Sequence, residues 1–111
     1  MQDRREDHIL TVTTTVASLD QARALAALIM DRRLAACVQL DAIAASLYRW
    51  QGELCEEPEV RLSIKTVPGQ EAALEALFAQ HHPYELPQFL AGTQAASAAY
   101  ARWVREAVIS G

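Results

Sequence analysis

The feature that most limits what this chain can become is a pair of β-patterned runs set either side of one tight turn. Ala36 to Trp50 carries Cys37-Val38, Leu40, Ile43 and Leu47-Tyr48 as its apolar content. Val60-Arg61-Leu62-Ser63-Ile64-Lys65 alternates apolar and polar residues, the period of a strand with one buried face. Between the runs lies Gln51-Gly52, and glycine accepts positive φ at no steric cost, so the two runs are expected to fold back as a hairpin. Cys55 to Pro58 should form an irregular piece of the second arm. The first arm is long beside an ordinary strand of about 5–6 residues. It either bends at Asp41 to Ala45 or projects past its own domain.

The rest of the chain supplies what a hairpin needs to become a domain. His8 to Thr14 is rich in β-branched residues and reads as a strand. Thr15-Val16-Ala17 then connects to a helix whose N-cap is Ser18, with Gln21 three residues on as the second half of a capping box. Ala22, Leu25, Ala26 and Ile29 fall at helical spacing, and the helix should end near Arg33. Pro68-Gly69 breaks the third strand, and Glu71 to Gln80 forms a second helix with Leu74, Leu77 and Phe78 inward. His81-His82-Pro83 ends it, because proline disfavours the α conformation in the residue before it. Gln88 to Ala91 is expected to be a short fourth strand. Ala95 to Val108 is expected to be a last helix, with Tyr100, Trp103, Val104 and Ala107 on one face. The order is β-α-β-β-α-β plus a C-terminal helix, an α+β fold: a ferredoxin-like βαββαβ sandwich with an extra helix. Both main helices should lie on one face of the sheet, which leaves apolar residues on the other face for a partner subunit to cover.

Composition sets the bounds on function. The 111 residues suit a single domain over 8–111, behind a charged N-terminal segment, 1–7, expected to be flexible. The net charge is −4, and the only basic runs are Arg4-Arg5 and Arg32-Arg33, the latter read as a solvated helix end. That balance speaks against a nucleic-acid partner, which needs a concentrated basic face. An RNA-recognition sheet would also need aromatics on its central strands, and His8 to Thr14 and Val60 to Lys65 have none. An acylphosphatase-like enzyme of the same topology orients its water with an asparagine, and this chain contains no asparagine. No apolar stretch approaches the roughly 20 residues of a membrane span. The N-terminus lacks the apolar core of a signal peptide. A cytoplasmic protein with reduced thiols is expected, needing neither disulfide nor metal to fold.

Five short segments carry a resemblance. Leu34-Ala35-Ala36-Cys37-Val38, Ser46-Leu47-Tyr48-Arg49-Trp50-Gln51-Gly52, Glu59 through Ile64-Lys65-Thr66, His82-Pro83-Tyr84-Glu85-Leu86-Pro87 and Tyr100-x-x-Trp103 follow one another in order and spacing. Together they resemble the CutA family of divalent-cation-tolerance proteins over nearly the whole chain. The sequence departs from that pattern at Gln39, where the family often has Asn, and at Gln88, where it often has Glu. It departs again at Thr14, where some members have Cys. The resemblance implies a homotrimer whose subunits extend each other's sheets, a non-enzymatic role in tolerance to copper and other divalent cations, and a likeness to trimeric PII signalling proteins. A PII-like sensor of a small ligand between subunits is the alternative function.

Each candidate site residue has a plain structural reading beside the functional one. His81 and His82 are candidate ligands for copper or another divalent cation, since imidazoles suit Cu, Zn and Ni. Adjacent helical residues point about 100° apart, so both reach one ion only at a frayed helix end. Glu85 is the nearest carboxylate to complete such a site, and Thr14 offers only a hydroxyl. Structurally, His82 caps or packs the turn and His81 is solvated. Cys37 is a small core residue or a soft ligand. Cys55, beside Glu56-Glu57, is a poor thiolate. Tyr48, Trp50, Tyr84, Tyr100 and Trp103 are core and interface anchors or the walls of an intersubunit pocket, with Glu59 and Lys65 adding charge there or forming an ion pair.

Overall fold

The structure, a computed structural model, describes residues 7–109. Of the N-terminal segment 1–7 only Asp7 falls among them; the rest of that segment, with Arg4-Arg5, lies outside the described residues. The elements are β1 (His8–Val16), α1 (Leu19–Asp31), β2 (Cys37–Trp50), β3 (Glu53–Thr66), α2 (Glu71–His81), β4 (Leu90–Ala95) and α3 (Ala98–Ile109), with a 3₁₀ turn at Pro68–Gln70 before α2. The strands form one sheet in the order β2-β3-β1-β4, antiparallel throughout. The expected βαββαβ order with an added helix is therefore the observed one.

Local chemistry explains where α1 starts and stops. The Gln21 N–H donates to Ser18 Oγ at 3.1 Å, and Gln21 Oε1 accepts the Ala17 N–H at 3.0 Å. The reciprocal cap of the sequence reading is present, reaching back one residue further than expected. At the other end Arg33 takes φ 56. The Leu34 N–H then reaches the Ile29 carbonyl and the Arg33 N–H reaches that of Met30, a Schellman closure that satisfies the last carbonyls. Arg32 and Arg33 are exposed, just past the helix.

One face of the sheet carries the main core. Leu10, Val12 and Val16 of β1 with Val60, Leu62 and Ile64 of β3 meet Ala22, Leu25 and Ile29 of α1 and Leu74, Leu77 and Phe78 of α2. β1 runs two residues further than its sequence suggests, because Thr15 and Val16 still pair with Arg61 and Val60. The opposite face is not left bare. There α3 packs through Ala101, Val104 and Val108 on Ile9 and Ala36. Of the expected inner face of α3, Val104 is fully buried and Ala107 packs half-buried on this cluster, whereas Tyr100 and Trp103 point outward. The fully buried Ala101 lets the helix approach the sheet closely and turns the aromatic pair out.

β4 also differs from expectation, beginning at Leu90 rather than Gln88 and running on to Ala95. It is an edge strand with all six residues exposed, so it has no buried face to impose alternation on its sequence. Phe89 stays outside it and packs edge-to-face on Phe78, ring centres 5.3 Å apart.

The hairpin turns through Gln51 at φ 52 and Gly52 at φ 84, both positive, as a two-residue type I′ turn requires. Cys55, Glu56 and Glu57 pair in register with Tyr48, Leu47 and Ser46, so the expected irregular piece shrinks to Pro58. The register steps between Ile43↔Glu59 and Ser46↔Glu57, which sets Ala44 and Ala45 against Pro58 alone. Proline has no N–H to complete a ladder bond, and a bulge is where a strand tolerates that loss. The pairing of β1 with β3 stops at Val16↔Val60. Past that point β2 and β3 continue as a two-stranded arm.

Candidate functional site

The His82 loop meets the sheet where that arm begins. α2 ends at His81, and His82 is its C-cap, with extended backbone at φ −72, ψ 136 ahead of Pro83. The turn of the chain sends the two imidazoles to different places. His81 is exposed and lines a hollow of about 200 Å³ with Gln21, Ala24, Leu25, Leu28 and Pro83. His82 is half-buried, its ring against Phe78 on one side and Tyr84 on the other.

Both ring nitrogens of His82 are engaged. Nδ1 accepts the backbone N–H of Tyr84 at 3.1 Å, so the ring proton belongs on Nε2, which donates to Thr14 Oγ1 at 2.9 Å. Burial pushes the imidazole below its ordinary value, while a hydrogen bond with the Thr15 backbone pulls the other way. Thr14 is itself fully buried. The hydroxyl that replaces a possible thiolate thus serves as the partner of a neutral histidine.

From His82 the loop reaches the base of the arm. The Tyr84 hydroxyl donates to Glu59 Oε2 at 2.7 Å. Burial, then this bond, raises the phenol's pKa. Further out, the Tyr48 hydroxyl donates to the Glu57 carboxylate, which pushes the phenol up to about 12. Two tyrosines are thus tied to two glutamates along β3. Glu59 and Lys65 do not pair: they lie six residues apart on one strand, roughly 20 Å. Arg61, also on β3, pairs instead with Asp41 of β2, at 3.0 Å.

The remaining candidates scatter. Cys37 and Cys55 are free and half-buried, Cys37 opposite Lys65 and Cys55 opposite Tyr48 on the arm. Trp50 is at the arm's tip, and Tyr100 stacks at a tilt on Trp103, centres 5.6 Å apart, on the outer side of α3. Glu85 lines a second hollow, with Glu75, Phe78, Ala79, Tyr84, Pro87 and Phe89, and not the one that His81 lines. Among the described residues no three of His, Cys, Asp and Glu converge as a metal cage. A resident metal therefore does not fit the described side chains of this chain as they stand. The Thr14–His82 bond, spanning 68 residues of sequence, was beyond sequence reasoning; only the proline after His82 hinted that the ring would be fixed.

Comparison with known proteins agrees with this architecture. The family described as CutA1 divalent ion tolerance protein matches residues 10–107. The divalent-cation tolerance protein CutA of Escherichia coli strain K12 / DH10B is 37% identical over 92 residues, 81% of this chain and 82% of that protein. The structure of CutA from Synechococcus elongatus superposes with TM-score 0.86 at 37% identity, covering 92% of this chain and 91% of that one. The divalent cation tolerance protein from Thermus thermophilus gives 0.84 at 36% identity, covering 90% and 98%.

Proposed function

The chain belongs to the CutA1 divalent ion tolerance family, and from that premise we propose that it acts as a homotrimer in tolerance to divalent cations, copper among them, by binding rather than by catalysis. The observation that carries the assembly is the arm beyond Val60. Leu47, Tyr48, Trp50 and Leu54 are all exposed there, on a ribbon that the chain's own sheet does not flank. Two-stranded ribbons with bare apolar side chains are marginal in water and prone to pairing with other edges. Closure of three copies into a ring removes the free edges. Light scattering at micromolar concentration should give three times the 12.2 kDa chain mass, and a monomer mass would refute the assembly.

The cation is cargo or signal in this reading, not a structural cofactor. His81 is the first ligand, since its imidazole is exposed at the end of α2. His82 joins only if its ring releases Thr14 and Tyr84, so it contributes to affinity at a cost. Calorimetry with Cu(II) should show weak to moderate binding that His81→Ala reduces strongly. Affinity should fall as the pH is lowered, because only a neutral imidazole ligates a metal and protons compete for the same nitrogen. An isotherm unchanged in the His81→Ala/His82→Ala double variant would assign binding elsewhere. Two unpaired cysteines suit a reducing, cytoplasmic setting.

A further inference from the structure

The hollow between α2 and the loop that leads to β4 has a composition the divalent-cation reading does not use. It encloses about 420 Å³ and is lined by Glu75, Phe78, Ala79, Tyr84, Glu85, Pro87 and Phe89. That volume falls within the roughly 300–1,000 Å³ of ordinary small-molecule sites. Three of the lining residues are aromatic. Phe78 and Phe89 hold each other edge-to-face at 5.3 Å, and Phe78 is anchored in the core. Tyr84 is fixed from both ends, by its backbone N–H on His82 and by its hydroxyl on Glu59. The walls are therefore built before any ligand arrives.

The charges of the hollow are of one sign. Glu75 reaches it from the exposed side of α2 and Glu85 from the loop, and none of its lining residues is basic. Aromatic faces attract a cation through their quadrupole, most strongly where water is partly excluded. Carboxylates at the rim add a charge-assisted hydrogen bond for each N–H presented to them. A bare divalent metal ion gains little here, since two exposed carboxylates without a third ligand leave most of its shell to water. We propose that this hollow is a binding site for a small organic cation, an ammonium or guanidinium on a short apolar stem, its stem on Phe78 and Phe89 and its charge between Glu75 and Glu85. The chain's net charge of −4 favours the approach of such a ligand.

The test titrates the full-length protein with agmatine, a guanidinium and an ammonium on one short alkyl stem, followed by amide chemical shifts and by calorimetry. Saturable binding is expected, with shifts at Glu75, Tyr84, Glu85 and Phe89. Glu75→Gln and Glu85→Gln should each weaken it about three- to fivefold, the worth of one exposed charge pair, and the double variant about tenfold. Glu106→Gln, on α3 and outside the hollow, should leave it unchanged. Phe89→Leu keeps an apolar side chain and removes a ring face, and it should weaken agmatine binding while leaving binding of Cu(II) unaltered. Absence of saturation overturns the proposal. So does equal weakening by Glu106→Gln, which would mean general attraction to an acidic surface, or indifference to both Glu75→Gln and Glu85→Gln. Loss of copper binding at His81 would leave the agmatine result untouched, so the two readings fail separately.

Discussion

The inner and outer halves of the β2–β3 hairpin are built alike and live differently. In the inner half Leu62 and Ile64 are 0% exposed, beneath α1 and α2. In the outer half Leu47 is 63% and Leu54 64% exposed, although the strands and their pairing continue. The difference lies in what flanks the ribbon, not in the ribbon. β1 accompanies the inner half and its pairing stops at Val16. Alternation in a sequence therefore tells which residues want burial, and only the neighbours decide whether the same chain provides it.

The largest expected effect tests the inner half. Ile64→Ala removes a fully buried side chain between sheet and helices, and it should lower unfolding free energy by about 2–5 kcal/mol in a denaturant titration. A cost below about 1 kcal/mol would mean the two halves are less distinct than their burial says. The outer half should respond in assembly instead. Trp50→Ala, at a tip where the residue is 39% exposed in the single chain, should weaken association by about 2 kcal/mol or more, as truncated interface tryptophans do. Light scattering on dilution would show it, while far-ultraviolet dichroism stays as in the wild type. No change in either mass or melting would place the residue outside any contact.

Smaller effects fall at the junction of the halves. Thr14→Val keeps the shape of the β1 side chain and takes the Thr14 hydroxyl from His82 Nε2, whose ring keeps its bond with the Thr15 backbone, at a cost of about 0.5–1.5 kcal/mol in stability. The smallest effect is one of pH. His82 is held neutral in the fold with its pKa lowered, so the unfolded chain takes up the proton first. Its contribution is whole above the ordinary value of about 6.5 and is lost as the pH falls from there through the lowered one. Urea midpoints between about pH 5 and 8 should drop more steeply for the wild type than for His82→Gln. Superimposable profiles would mean the ring titrates as if solvated.

The sequence is most legible where one residue type has one physical job. Ser18 and Gln21 announced a cap, Gln51-Gly52 a tight turn, and Leu74, Leu77 and Phe78 a buried stripe, and each stands as read. It is least legible where burial is set by distant contacts. β4 lies on an edge with every residue exposed, so Leu90 to Ala95 carries no alternation to find. The aromatic pair of α3 looked inward because large apolar residues usually are, yet Ala101, a residue of no evident importance, lies against the sheet with Val104 and Val108. The same holds for the candidate site. Adjacent histidines suggested a shared ligand, while the extended backbone at His82 sends one ring to the α1 side and the other to Thr14. Nothing local to His82 names Thr14 as its partner.

The bulge at Ala44-Ala45 reverses parity along β2. Before it, the even-numbered residues Val38, Leu40 and Ala42 stand beside Ile64, Leu62 and Val60, on the side of the main core. After it, the even-numbered Ser46, Tyr48 and Trp50 stand beside Glu57, Cys55 and Glu53, on the opposite side. An alternation counted straight through β2 therefore assigns the whole outer half to the wrong face. The extra residue also bends its strand and tightens the local twist, so it acts as the wrist of the arm. Deleting one alanine would leave every cross-strand partner from Ser46↔Glu57 to Trp50↔Glu53 in place and straighten the ladder behind them. The tip would then swing as a unit toward a different point in space, with no residue of its own surface altered. The direction of the arm is thus set by two of the plainest residues in the chain, opposite a proline that lacks the hydrogen needed to close the gap.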